Sequence, residues 1–214
     1  MNKTTYTNMA KVWEFAETHA LSEENDVLRK ARADAEKAKL PQGSAAQANL
    51  LRFITRSLNA TSIISIGTGS IVEALQLVEG LGGAGQLTAV DSSARGITMI
   101  RSLFADISDS AENRTTLRAV NTSPAVFLPR LNAGTYDLIV VSGVASNYEP
   151  SFAEAANLLK TGGRIIFTDM SGLAYPDNGK AEAMLALLTN VEDDDRFEAT
   201  LTPTGTGMLI AAKR

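Results

Sequence analysis

From residue 61 onward, short apolar runs alternate with longer stretches whose apolar positions recur every three or four residues. The runs TSIISIG (61–67), GQLTAVD (85–91), TTLRAV (115–120), YDLIVVSG (136–143) and RIIFTD (164–169) have the length and β-branched content of buried strands. Between them, IVEALQLVEGL (71–81), ARGITMIRSLFADIS (94–108), EPSFAEAANLLK (149–160) and GKAEAMLALLTN (179–190) carry helical spacing, and PAVFLPRL (124–131) a short helical turn. Upstream, residues 8–20 and 22–38 also read as helices, the second opened by Ser22 with Glu23 and Glu24 in its first turn. Pro41 to Gly43 break the pattern, and a third helix follows over 44–60 with Leu50, Leu51, Ile54 and Leu58 on one face. Thr161 to Gly163 read as a turn into the fifth strand, and FEATLTP and MLIAAKR, joined across Thr204 to Gly207, as a closing hairpin.

Strands that alternate with helices imply a mainly parallel sheet covered on both faces. The last two strands are joined too tightly for a helical crossover and must be antiparallel. The expected fold is α/β, a doubly wound seven-stranded sheet that is mostly parallel, ends in an antiparallel hairpin and is preceded by N-terminal helices. One domain over 1–214 is expected, with 1–42 a helical extension and 43–214 the core.

Composition narrows the function classes. Of 214 residues, 44% are hydrophobic and 21% charged, a globular balance, and the net charge of −4 argues against a broad nucleic-acid face. No run approaches the roughly 20 apolar residues of a membrane span, and the first residues lack the apolar stretch of a signal peptide, so a cytoplasmic protein is the simplest reading. The absence of cysteine excludes disulfides, CxxC redox chemistry and thiolate zinc sites. The lone histidine, His19, falls in a helix far from any catalytic-looking motif and reads as a surface or interface residue. The acidic run Glu192 to Asp195 reads as a solvated turn.

In an open α/β sheet, ligands bind beyond the carboxyl ends of the strands. That rule collects Gly67 to Ser70, Asp91 and Ser92, Thr122 and Ser123, Ser142 and Gly143, and Thr168 and Asp169. The loop Gly67-Thr68-Gly69 is no P-loop, and Val72 stands where a dinucleotide fingerprint needs a third glycine. Its two glycines still allow a tight turn and close backbone approach. Asp91, at the end of the second strand, is placed to accept hydrogen bonds from ribose hydroxyls. It would equally suit the N-cap of the helix that follows.

Together, QANLLRFI, IISIGTG, LTAVD, YDLIVV, SNY and LLKTGGRII resemble the S-adenosylmethionine (SAM)-dependent O-methyltransferases of the catechol and caffeoyl-CoA type, over roughly residues 40–214. The resemblance implies a Rossmann-like core, N-terminal helices that help form the substrate mouth, and a homodimer. Of the family's cofactor pattern E-[IV]-G-T-G-x-G-x-S, Gly67, Thr68 and Gly69 match, while Ser65, Ile71 and Glu73 replace the glutamate, the third glycine and the serine. Asp91 matches the ribose-binding acid, and Ser123 lies in the adenine-side segment. The implied cofactor residues are therefore Ser65, Gly67, Thr68, Gly69, Asp91, Ser92, Ser123 and Ser142.

The family's metal motifs depart further. Its fourth-strand D-A-D-K-x-x-Y reads Ser142 to Tyr148 here, and its fifth-strand D-N reads Thr168-Asp169. One carboxylate among hydroxyls makes a poor magnesium cage, so no catalytic metal is expected. A general base must then remove the acceptor's proton. Asp169 is the best-placed carboxylate, Ser142 is the second catalytic candidate, and Asp137 is less favoured because it opens its strand at the opposite end. Tyr148 and Tyr175 are candidates for the substrate mouth. The expected function is O-methylation of a small phenol- or catechol-like substrate. A catalytically inactive relative that binds ligand or dimerises is the alternative, and a nicotinamide dehydrogenase a third reading, disfavoured by Val72 and the hairpin.

Overall fold

The computed structural model describes residues 3–40, 42–67, 70–108, 114–174 and 180–214, with side chains from Thr7 onward. Three helices come first: α1 (Lys3–Ser22), α2 (Asp26–Lys37) and α3 (Ala45–Ser57). Strands and helices then alternate as β1 (Ser62–Ile66), α4 (Ile71–Gly80), β2 (Gln86–Asp91), α5 (Ala94–Ser108), β3 (Thr116–Asn121), α6 (Pro124–Phe127), β4 (Tyr136–Val141), α7 (Tyr148–Leu158), β5 (Leu159–Phe167) and α8 (Ala181–Glu192). The hairpin β6 (Phe197–Thr202) and β7 (Met208–Lys213) closes the chain. The described strands form one sheet in the order β3-β2-β1-β4-β5-β7-β6, parallel except for the β5–β7 and β6–β7 pairs. This is the doubly wound sheet that the alternating pattern implies.

Strand periodicity divides the core in two. Ile63, Leu87, Ala89, Leu138 and Val140 face one side, against Leu51 of α3, Ile71 to Leu77 of α4, and Ile100 and Phe104 of α5. Their neighbours Ile64, Ile66, Val90, Ile139 and Val141 face the other, against Leu128, Tyr148, Leu158, Met184 and Leu187. Helix α4 is buried almost all round, because α3 covers the face turned away from the sheet. Any polar residue in its first turns is therefore taken out of water, and Glu73 is one.

Two local readings are corrected. Ser22 does not open the second helix. It ends α1, its hydroxyl donating to the His19 carbonyl, while Asn25 caps α2 by accepting from the Leu28 N–H at 2.9 Å. Thr161 to Gly163 do not precede β5 as a separate turn. The strand begins at Leu159, opposite Tyr136, and slips register before Leu138 pairs with Arg164, with Gly162 at φ +76° accommodating the irregularity. Asp137 is a structural tie. It accepts from the Thr61 and Ser62 N–H groups and from Lys160. Burial acts to raise its pKa, but these donors outweigh burial and hold it below the ordinary value. The acidic run Glu192 to Asp195 ends α8 and turns into β6, with Asp194 paired to the Arg196 guanidinium at 2.7 Å.

The N-terminal helices are tied to the core beside the strand ends. Glu17 of α1 accepts from the Ser44 hydroxyl at 2.5 Å and from the Ala45 and Ala46 N–H groups at 2.7 and 3.1 Å, so it meets the otherwise unpaired donors that open α3. Arg32 of α2 pairs with the buried Glu24 and also donates to the Gly43 carbonyl at 3.0 Å, fixing the loop before α3. His19 is exposed and stacks on Phe15. Among the described residues, no helix is long and apolar enough to cross a membrane.

Glu17→Ala should lower stability by about 1.5–3 kcal/mol, the range for hydrogen bonds to a charged group, as read by urea unfolding. Burial raises the pKa of Glu17, but the Ser44, Ala45 and Ala46 donors, with Arg32 beyond them, outweigh it and leave the carboxyl below its usual 4.5. The stability it contributes is then full above pH 4.5 and lost as pH falls through the lowered folded value. The gap between wild type and variant should close on that acid side.

Candidate active site

The strand order reverses direction between β2 and β4, on either side of β1. The crevice outside the carboxyl ends of β1 and β4 is therefore the switch point, where such sheets hold ligands. Gly67 sits at its floor with φ +93°, and a Cβ built there would lie 2.3 Å from the Ser142 carbonyl oxygen. Only glycine lets the ends of β1 and β4 approach this closely. Thr68 and Gly69, the next residues of the expected cofactor loop, lie outside the described residues.

On the β2 side stands Asp91, half-buried at the strand end. One of its oxygens accepts from the Ser93 N–H at 2.9 Å, while the cap of α5 is Ser93 itself, whose hydroxyl accepts from the Gly96 N–H at 3.2 Å. The α5 cap bond thus comes from Ser93, while Asp91 holds the backbone turn just before it. Ser92 is exposed beside it, and Ser123 is half-buried after β3 as the residue preceding α6. Ser65 is buried within β1 between Ala89 and Val140.

On the β4 side the expected residues meet one that the pattern only flagged as a departure. Glu73, 3% exposed in the first turn of α4, takes a hydrogen bond from the Ser142 hydroxyl at 2.6 Å and lies 3.3 Å from the Thr168 hydroxyl, which is itself 2.7 Å from Ser142. Its other oxygen accepts from the Gln47 amide at 2.7 Å, and Ser70 adds a further hydroxyl donor. Gln47 also donates to the Thr168 carbonyl and accepts from the Thr206 N–H, so one side chain joins α3, α4, the end of β5 and the β6–β7 turn. Burial pushes the Glu73 carboxyl above its ordinary range, and the neutral donors offset this only in part.

Gln47, Ser70, Glu73, Thr168 and Thr206 line a cleft of about 410 Å³ with Leu40, Gln42, Gly43, Gly143, Asp169 and Lys180. Asp169 is half-buried there, accepting from the Ser171 hydroxyl at 2.7 Å and pairing with Lys180 at 3.5 Å. Tyr148 does not line a substrate mouth. It is 1% exposed, packs edge-on to Phe167 and donates its hydroxyl to the Asp169 carbonyl at 2.8 Å. Burial, with the Asp169 and Glu73 charges behind it, pushes the Tyr148 phenol up. Tyr175 lies outside the described residues. Ser142, Thr168 and Asp169 are thus brought together as the strand-end rule requires. Gln47 and Gln42 escaped the sequence reading, although Gln47 falls on the same helical stripe as Leu51, Ile54 and Leu58. A lone amide on an apolar face was the available signal.

A doubly wound sheet with a carboxylate at the β2 end and a glycine at the switch point is the arrangement in which such sheets hold nucleotide-like ligands. The sequence matches the O-methyltransferase family profile over residues 16–214, and the chain belongs to that family. A protein of Mycobacteroides abscessus assigned to the O-methyltransferases is 27% identical over 195 residues, covering 89% of each chain. The fold is shared with the O-methyltransferase of Bacillus cereus solved with S-adenosylhomocysteine (SAH), at TM-score 0.79 and 17% identity, over 95% of this chain and 99% of that one. It is shared too with TomG of Streptomyces achromogenes, solved with SAM, at TM-score 0.77 and 18% identity, over 95% and 97%.

Glu73→Gln keeps the shape of the network and removes its buried charge. Because the folded pKa of Glu73 is raised above 4.5, the cost of ionising it is absent below that pH and grows as pH rises through the folded value. The variant should match wild type in thermal stability near pH 4.5 and exceed it increasingly as pH rises above that, read as the difference in melting temperature across pH.

Proposed function

We propose that the crevice binds SAM and that the protein transfers its methyl group to the hydroxyl of a small phenol- or catechol-like acceptor without a catalytic metal. The observation that carries this reading is the pairing of Asp91, at the β2 end, with the Gly67 floor at the switch point. The adenosine half of the cofactor would lie there. Asp91 would take the ribose hydroxyls, Ser92 and Ser123 would flank the adenine, and Ser65, Gly67, Thr68, Gly69 and Ser142 would border the path toward β4. The SAM- and SAH-bound relatives share the fold and support this choice of cofactor.

When bound, SAM supplies a methyl group on a positively charged sulfur that leaves readily. The chain's own residues need to hold the acceptor in line and receive its proton. Asp169 is the carboxylate at the cleft for that proton, with Lys180 beside it to steady the charge, and the Ser142 hydroxyl orients the neighbouring oxygens. A divalent cation finds a poor donor set. Ser142 and Thr168 offer neutral hydroxyls already engaged with Glu73, and Asp169 is paired with Lys180. The exposed Val12, Trp13 and Phe15 of α1 supply an apolar surface for the homodimer, and a cytoplasmic setting completes the reading.

Calorimetry with SAH tests the cofactor site. Wild type should bind, and Asp91→Ala should lose about 1.5–3 kcal/mol of affinity, the range for charged hydrogen bonds. No heat with SAH would refute the assignment. Methyl transfer to a panel of catechols and phenols should proceed unchanged in EDTA, whereas activity restored only by added magnesium would contradict the metal-free scheme.

A further inference from the structure

We infer that Glu73 sets the preference of the site for the cofactor's side arm: it holds the amine and disfavours the carboxylate beside it, so among SAM-type ligands the site favours an arm that ends in an amine alone. The inference rests on the nucleoside site proposed above and adds the chemical class of the arm.

Topology brings the arm to Glu73. A nucleoside anchored at Asp91 lies on the β2 side, and an arm that leaves it toward β4 must pass over Gly67, where the ends of β1 and β4 are in contact. On the far side lies the cleft lined by Glu73 and Thr168, both hydrogen-bonded to the buried Ser142. What meets the arm there is a carboxyl group supplied only with neutral donors. Gln47, Ser142, Thr168 and Ser70 serve it, and among the described residues no cation pairs with it. The nearest cation lining the cleft, Lys180, is paired with Asp169. A buried carboxyl in this state gains most from an arriving ammonium, which supplies both the opposite charge and further donors.

Among the described residues, the helix opening beside the cleft is partly taken up and carries a carboxyl of its own. A ligand carboxylate would ordinarily be received by the N–H groups that open a helix. Here the Val72 N–H already donates to the Gln42 side chain at 3.0 Å, and Glu73 puts a carboxyl in that first turn. Ile71, 0% exposed, fills the first position of the helix with a branched side chain. Other charges around Glu73 do not reverse the balance. Asp169 adds a negative charge from the end of β5, Lys180 answers it, and Arg32 reaches only the Gly43 carbonyl behind the loop while paired with Glu24.

Isothermal calorimetry at pH 8 with three adenosine thioethers provides the test. They are 5′-methylthioadenosine, which has no amino-acid arm, SAH, and its decarboxylated analogue S-adenosyl-3-thiopropylamine. Wild type should bind the decarboxylated analogue about tenfold or more tightly than SAH, as expected when a like-charge contact in a poorly solvated cleft is removed. Glu73→Gln, which fits the same hydrogen-bond ring, should bring the two affinities to within about threefold, and Glu73→Ser should turn the preference toward SAH. Circular dichroism melts establish that each variant is folded. A wild type that binds SAH as tightly as the decarboxylated analogue, or more tightly, overturns the inference, as does a preference left unchanged by both substitutions. In those cases binding of 5′-methylthioadenosine leaves the nucleoside site standing. Binding of none of the three removes the nucleoside site itself, and the inference with it.

Discussion

A buried carboxyl group organises the ligand end of this molecule. Glu73 is held in the first turn of α4, a helix with almost no solvent-facing side, and its oxygens are met by Gln47 from α3, Ser142 from the end of β4 and Thr168 from the end of β5. Leaving such a group without partners would cost several kcal/mol, so the four elements are constrained to converge on it. The Gln47 amide extends the constraint to the β6–β7 turn through the Thr206 N–H, and the Thr206 hydroxyl returns to the Thr168 carbonyl at 2.8 Å. One ionisable group thereby fixes the shape of the cleft floor and also sets its charge.

The N-terminal helices serve this arrangement from outside. Glu17 meets the opening turn of α3 and Arg32 holds the Gly43 carbonyl, so the segment carrying Gln42, Gly43 and Gln47 is anchored at both ends before it closes over Glu73. A Cβ at Gly43 would stand 3.6 Å from a Glu73 oxygen, which shows how closely the loop lies on the carboxyl. The proposed division of labour follows from the sheet order. The nucleoside end belongs to β2 and β3, where Asp91 and Ser123 stand, and the reacting end to β4 and β5, with Gly67 as the narrow floor between them.

The architecture was legible in the sequence because strand and helix periodicities differ and the chain obeys both. The run over 94–108 reproduces α5 end to end, and the strand runs match β1, β2 and β4 to within a residue or two. Errors arose where local chemistry competes. Ser22 and Asn25 are both good caps three residues apart, and with α1 running through Ser22 the cap of α2 falls to Asn25. Thr161 to Gly163 has the composition of a turn, yet pairing of Leu159 with Tyr136 draws it into β5. At the candidate site, the strand-end rule placed Ser142, Thr168, Asp169 and Asp91 at the ends of their strands, since position along a strand is a local property. The partnership of Glu73 with Gln47 joins residues 26 apart in sequence on two packed helices, and nothing in either helix alone announces it.

The central claim is that a nucleoside anchored by Asp91 extends its arm across Gly67 to Glu73. A crystal structure of the protein with SAH addresses it most directly. The account predicts both ribose hydroxyls on the Asp91 carboxylate and the ligand's amine within hydrogen-bonding distance of Glu73, with the Gln47 and Ser142 contacts retained. Density for the ligand's carboxylate in the Glu73 position, with that side chain turned out of the cleft, would contradict it.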